Sequence, residues 1–248
     1  MIQILMPMGG LGQRFKAVGI DTPKPLIEVD GKPMFRKALS SFDGLQAPKT
    51  LTVIVREDDD ADSRLSSQIL ASEPSATIVH LKSNTRGAAE TALLARDVLD
   101  ADQPLVILDC DIAFTSDDYL ATIATDAGDD GVLLSFHSTD PRYSYVEADE
   151  LGHAVRTAEK DPISNNALAG SYFFRRASVF FDAAERLLER PISPAMPEYY
   201  MSLVFNELLA AGAHVGVANG DFYCFGTPQE LADYQETGLP IGSGTADE

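Results

Sequence analysis

The chain has 248 residues, 45% of them hydrophobic, enough for one large domain with a real buried core. Its net charge of −19, from 19 Lys and Arg against 38 Asp and Glu, repels nucleic acid and anionic membranes, so neither is an expected partner. No apolar run approaches a membrane span, MIQILMP has no basic region or cleavage site, and the distant Cys110 and Cys224 argue against a disulfide framework or zinc site and for a reducing cytoplasm.

In chain order, Ile2–Pro7 reads as a strand and Met34–Phe42 as a helix. Leu51–Val55 is a strand, Ala61–Ala71 a helix, Thr77–Leu81 a strand and Gly87–Leu99 a helix. The strand LVIL, Leu105–Leu108, precedes a helix at Asp117–Thr125. This alternation predicts an α/β fold with a mixed, mostly parallel, doubly wound, Rossmann-like sheet. From Gly131 the pattern changes. VLLSF, SYVEAD, HAVRTAEK and ALAGSYFFRR read as four strands of more antiparallel character. Helices follow at Ala177–Glu189 and Glu198–Ala211, then a strand at His214–Ala218 and a helix at Pro228–Gln235. The expected organisation is one domain over 1–236, with a nucleotide-binding half at 1–130, a β-rich substrate-binding half at 131–236, and a flexible tail at 237–248.

Charge is distributed unevenly. Residues 1–37 hold six basic groups, Arg14, Lys16, Lys24, Lys32, Arg36 and Lys37, against the acids Asp21, Glu28 and Asp30. A basic segment on an acidic chain points to a small anionic ligand. The same segment holds Gly9, Gly10 and Gly12 directly after the first strand, where glycines allow a tight turn and let phosphate approach backbone N–H groups. Arg14 can bond phosphate oxygens bidentately. In TPKPL, Pro23 and Pro25 restrict Thr22 and Lys24 toward extended conformations, so Lys24 is expected on a stiff strut. A Rossmann G-x-G-x-x-G would need glycine where Phe15 stands, and a Walker A loop would need G-K-[ST], which is absent. Glycines alone would fit a plain strand-to-helix turn; Arg14 and Lys24 at this spacing do not.

The run G-G-x-G-x-R-F, then P-K-P-L and G-K-P-M, resembles the signature of the sugar-phosphate nucleotidyltransferases, or nucleoside-diphosphate-sugar pyrophosphorylases. The resemblance implies that Arg14 and Lys24 act on the triphosphate and the reacting phosphate, and that Met8, Gly9, Gly10 and Gly12 hold the nucleotide. As side chains, Met6 and Met8 also read as packing residues. LKSNTRGAAETALLA is similar to the family's base-gripping segment, which implies nucleotide-binding roles for Asn84, Thr85 and Gly87; a helix cap at Asn84 or Thr85 is equally compatible. In LVILDCDIAF, Asp111 matches the family's metal aspartate, implying Mg²⁺ as cofactor. Asp109 shares its face if the strand stays extended.

The resemblance extends through the second half. Glu159 and Lys160 match a Glu-Lys pair, with Lys160 on the second substrate's phosphate; Gly170 clears space, and Tyr145 would line the same pocket. DFYCFGTPQEL resembles a closing W-x-D-x-G-T-P, but Cys224 stands at the aspartate, the second metal ligand, and a thiol suits Mg²⁺ poorly. Asp221 is the substitute the sequence offers. TRGAAETALLA, YSYVEAD and EKDPIS look most like the branch serving capsule and surface-polysaccharide biosynthesis. The implied activity transfers NMP from an NTP to a small phosphorylated substrate and releases pyrophosphate. Two other readings stay open: a D-x-D metal-dependent glycosyltransferase, to which DCD would belong, and a nucleotide-sugar sensor without turnover. A homo-oligomer is compatible with the sequence.

Overall fold

The computed structural model describes residues 1–125, 128–194 and 196–241. Its elements in chain order are β1 (Ile2–Met8), α1 (Gln13–Lys16), β2 (Glu28–Val29), β3 (Lys32–Pro33), α2 (Met34–Ser40), β4 (Lys49–Arg56), α3 (Glu57–Ser63), α4 (Leu65–Ser72), β5 (Thr77–Leu81), α5 (Ala88–Leu93) and β6 (Leu105–Leu108). There follow β7 (Ile112–Thr115), α6 (Asp117–Ala124), β8 (Gly131–His137), β9 (Ser144–Ala148), β10 (Ala154–Glu159) and β11 (Asn166–Phe174). The remainder is α7 (Ala177–Glu189), α8 (Met201–Ala210), β12 (Val215–Asn219), β13 (Asp221–Cys224) and α9 (Pro228–Thr237).

Among the described residues, nine strands form one sheet, with the path β10-β9-β11-β6-β1-β4-β5 and with β8 joining β11 to β12. Strands β6, β1, β4 and β5 are parallel, as the alternating pattern predicts, while β11 runs antiparallel to β6 and β8. Helices cover both faces. One apolar layer gathers Phe35, Phe42, Leu65, Ile69 and Tyr119 with β1 and β4. The other gathers Ala89, Ala92, Phe180, Phe205 and Leu208 with β6 and β11. A smaller cluster, Phe15, Ile27, Val29, Met34, Ala113, Phe225 and Leu231, lies apart from these. It packs the chain after β1 against the segment leading into α9.

Several elements depart from expectation. The predicted helix 61–71 is two helices, because Arg64 turns left-handed at φ 55°. The first starts early, at Glu57, where four consecutive acids complement the positive end of the helix dipole. The predicted helix 87–99 stops at Leu93 and continues as a 3-10 turn, Arg96–Val98. Lys24 is not on an extended strut: Lys24–Leu26 forms one 3-10 turn with Pro25 inside it, tied by Ile27 N–H to the Lys24 carbonyl at 3.2 Å. Strands β7 and β13, too short for a period to show, pair antiparallel with Cys224 opposite Ile112 and Asp221 opposite Thr115.

Of the tail 237–248, residues 242–248 lie outside the described residues. Gly238 ends α9 in a left-handed turn, and Ile241 N–H donates to the Phe222 carbonyl at 2.6 Å. No helix among the described residues is long and apolar enough to cross a membrane.

Candidate active site

The parallel strands end together on one edge, and a cleft of about 880 Å³ opens there. That location is where ligands bind in open α/β sheets, and the size suits a nucleotide-sized molecule. Its walls include Gly9, Gly10, Gly12 and Arg14 after β1, Lys24, Arg56 from the end of β4, Asn84 to Ala88 after β5, and Asp109 after β6. Pro197, Glu198 and Gly226 close it from the second half.

The glycine turn has distinct reasons at each position. A Cβ on Gly9 would lie 2.8 Å from Leu81 Cδ2, so Gly9 leaves room for the Leu81 side chain at the end of β5. Gly12 is left-handed at φ 63° and its carbonyl accepts from Phe15 and Lys16 N–H, opening the short α1. Phe15, buried in the small apolar cluster, fixes that helix, so Arg14 is held beside the cleft. Arg14 is exposed and has no hydrogen-bond or ion-pair partner among the described residues. Of the other basic groups near the N-terminus, Arg36 pairs with Glu73 and Lys37 with Asp30, so they are committed elsewhere. Met8 is buried in the core and its side chain does not line the cleft, so its expected nucleotide-binding place is corrected to packing.

Lys24 Nζ lies 2.5 Å from Asp111 Oδ2, with the two side chains only 21% and 23% exposed. Burial opposes the ammonium charge, but the Asp111 carboxylate outweighs it and holds the lysine well above its ordinary pKa. Lys24 is therefore a permanent cation at the cleft floor. Asp109 and Asp111 do not share a strand face, since β6 ends at Leu108 and the chain turns between them. Asp109 N–H donates to the Gly170 carbonyl at 2.9 Å, and a Cβ on Gly170 would meet Asp109 Oδ2 at 2.6 Å. Gly170, at φ 73°, thus makes room for Asp109 where β11 shifts register. Burial, then the charges of Asp111 and Glu159, push Asp109 up to about 7.

On the base side, Thr85 Oγ1 lies 2.5 Å from Thr91 Oγ1, and Thr91 donates to the Gly87 carbonyl at 3.0 Å. Gly87 is required by packing: a Cβ there would sit 2.5 Å from the Tyr199 amide nitrogen and 2.6 Å from its carbonyl oxygen. Tyr199 N–H bonds the Arg86 carbonyl and Ala89 N–H bonds the Tyr199 carbonyl, so the second half buttresses the first at this loop.

In the second half, Glu159 accepts from Ser144 and from Ser202 Oγ at 3.0 Å. Lys160 follows the end of β10 in a left-handed conformation, φ 54°, exposed, with Nζ 3.4 Å from the Tyr200 hydroxyl. Two expectations fail here. Tyr145 is wholly buried, its hydroxyl donating to the Asp140 carbonyl at 2.7 Å, and it does not line the cleft. Asp221 is exposed at the far end of β13 from Cys224, three residues and roughly 10 Å along an extended strand. It is not placed to join Asp111.

Glu230 is, and sequence reasoning missed it. A Cβ on Gly226 would lie 2.8 Å from Asp111 Oδ2, 3.3 Å from Glu230 Oε2 and 3.6 Å from Cys224 Sγ, so these groups converge. Glu230 is only 8% exposed. Its N–H bonds the Thr227 hydroxyl at 3.1 Å and its Oε1 accepts from Arg142 at 2.9 Å. The signal was T-P-Q-E, the helix-opening spacing that aims a glutamate back past its own N-terminus. Cys224 is a buried free thiol, held well above its usual pKa by burial and then by Asp111 and Glu230, so it stays protonated.

A family model described as "Nucleotidyl transferase" matches residues 3–216. The chain belongs to the nucleotidyl transferase family. This nucleotidyltransferase is similar to mannose-1-phosphate guanylyltransferase catalytic subunit beta from Drosophila pseudoobscura pseudoobscura, 24% identical over 204 residues, covering 78% of this chain and 54% of that protein. The chain thus spans about half the length of the curated relatives it matches. A nucleoside-diphosphate-sugar pyrophosphorylase from Vibrio cholerae RC9 superposes with a TM-score of 0.79 at 25% identity, covering 96% of this chain and all of that one. The inositol-1-phosphate CTP transferase from T. maritima shares the fold, with a TM-score of 0.71 at 15% identity, covering 96% and 97% of the two chains.

Proposed function

We propose that this nucleotidyltransferase moves NMP from an NTP onto the phosphate of a small phosphorylated substrate, a sugar phosphate, and releases pyrophosphate. The observation that carries the reading is the cleft itself. One opening at the strand ends holds the glycine turn, the exposed Arg14, unpartnered among the described residues, and the buried cation Lys24. These are groups for a polyphosphate.

A phosphate oxygen of the second substrate attacks the α-phosphorus of the NTP; the bond to the β-phosphate oxygen breaks and pyrophosphate takes the electron pair. A phosphate monoester is mostly ionised near neutral pH, its second pKa being about 6, so no general base is needed. The chain contributes position and charge. Lys24 screens the reacting phosphates, Arg14 receives the departing pyrophosphate, and Lys160 orients the incoming phosphate. Mg²⁺ fits the donor set: Asp111 and Glu230 bring two carboxylate oxygens to one space, and Mg²⁺ takes one or two carboxylates with phosphates and water. When bound it would neutralise charge on the phosphates. Glu230 would then replace the carboxylate absent at Cys224.

Two buried free cysteines support a cytoplasmic location. The likeness to the surface-polysaccharide branch supports a nucleotide sugar, consumed in polysaccharide assembly, as the product. The test is pyrophosphate release with Mg²⁺, crossing NTPs against sugar 1-phosphates and small alcohol phosphates. Release that needs one pair and disappears in Lys24→Ala supports the reading. Nucleotide binding without release from any pair would make the chain a sensor instead, and hexose transfer from a nucleotide sugar would make it a glycosyltransferase.

A further inference from the structure

Arg56, at the end of β4, stands between the glycine turn and the loop after β5. Its Nη1 donates to Asn84 Oδ1 at 2.9 Å and approaches the Gly9 carbonyl at 3.4 Å. Its Nη2 lies 3.6 Å from Asp58, and its side chain is 11% exposed. A guanidinium can only donate hydrogen bonds. The Asn84 amide oxygen must therefore face Arg56, and the amide cannot flip without setting its NH₂ against a cation. What Asn84 has left to offer the cleft that it lines is Nδ2, a donor with no partner among the described residues.

We infer that Arg56 is a positioning residue that makes Asn84 a reader of the nucleobase, selecting a base that presents a carbonyl oxygen there (guanine, uracil or thymine) over one that presents an amino group (adenine or cytosine). This rests on the nucleotidyltransferase reading of the cleft and deepens it. The chemistry is a donor meeting an acceptor in one case and a donor in the other, where a bound polar group is left unpaired. Leu81 and the Gly9–Gly10 main chain line the same cleft as Asn84, with Leu81 close against Gly9.

The experiment is titration calorimetry of the full chain with GTP, UTP, ATP and CTP. The unaltered chain should bind GTP and UTP about tenfold tighter than ATP and CTP, the scale of one hydrogen bond made against one refused. Asn84→Asp, which keeps the Arg56 contact but turns an acceptor toward the base, should reverse that order. Arg56→Met, which keeps the packing and frees the amide to rotate, should bring the four nucleotides within about threefold of one another. The same order of preference in the unaltered chain and in Asn84→Asp overturns the inference and leaves the nucleotidyltransferase reading standing. So does tighter binding of ATP or CTP by the unaltered chain. Failure of every nucleotide to bind overturns both.

Discussion

The nucleotide side of the cleft hangs its groups on short loops directly after parallel strands: the glycine turn and Arg14 after β1, Arg56 at the end of β4, Asn84 after β5 and Asp109 after β6, with Asp111 just behind, bonded to Lys24. The opposite side works by bends and returns. Gly170 kinks β11 around Asp109, Lys160 sits in a left-handed turn, and Glu230 arrives on α9 from more than a hundred residues beyond Asp111. A site residue on the first side keeps its chain neighbours as site neighbours. On the second side, Gly170 and Glu230 meet Asp109 and Asp111 through contacts that their chain neighbours do not share, while Lys160 does not line the cleft.

The largest expected effect breaks the first side. Lys24→Ala removes the permanent cation from the cleft floor and should lower kcat/KM for pyrophosphate release roughly hundred- to thousandfold, the loss typical of one preorganised charge-stabilising donor. A change under tenfold would show that the lysine only neutralises Asp111. Next is the seam between the sides. Gly87→Ala forces a Cβ into the Tyr199 main chain at a φ of 148° and should destabilise the fold by about 3 kcal/mol, read from urea unfolding. An unchanged midpoint would mean that the two loops are not tightly packed.

A smaller effect sharpens the assignment within the second side. Glu230→Gln should weaken Mn²⁺ binding to the nucleotide-loaded protein roughly tenfold by paramagnetic resonance, while Asp221→Asn leaves it unaltered. Equal losses in both variants would return Asp221 to the site. The smallest effect concerns pH. Lys37, and then the Tyr234 hydroxyl, hold the Asp30 carboxyl below its ordinary pKa. The unfolded chain takes up that proton first, so the contribution is whole above about pH 4 and is lost as pH falls through the lower folded value. In Asp30→Asn, acid unfolding should lose part of its slope in that window; an unchanged acid limb would show that the pair is too solvated to matter.

Much of the first side was legible. The glycine spacing, Arg14, Lys24 and Asp111 lie in local runs; the glycines, Arg14 and Lys24 line one cleft, and Asp111 is bonded to Lys24. The mostly parallel sheet of the first half followed from alternating apolar runs and helices. What was not legible depended on distance in sequence. Asp221 looked like a substitute for Cys224 because it is three residues away, yet an extended strand carries it out of reach. Glu230 is farther along the chain but is returned by a helix start. Tyr145 read as a pocket wall from the resemblance alone, and its place on β9 turns it into the core. Lys24 read as extended because each proline was weighed separately, whereas Pro25 is accommodated inside a 3-10 turn. Arg56 carried no motif, since its partners, Gly9 and Asn84, are brought to it only by the parallel pairing of β1, β4 and β5.

The small cluster joining Phe15, Ile27, Val29 and Met34 to Phe225 and Leu231 has a consequence for how the protein is made. On the ribosome, the loop that carries Arg14 and Lys24 emerges nearly two hundred residues before its apolar support. Contacts so remote in sequence form late and slowly. Until the segment from Phe225 to Leu231 has been made, Phe15, Ile27, Val29 and Met34 lack the part of their apolar packing that it supplies. A chain interrupted before Phe225 would therefore expose part of the apolar surface that Phe15 and Val29 bury here.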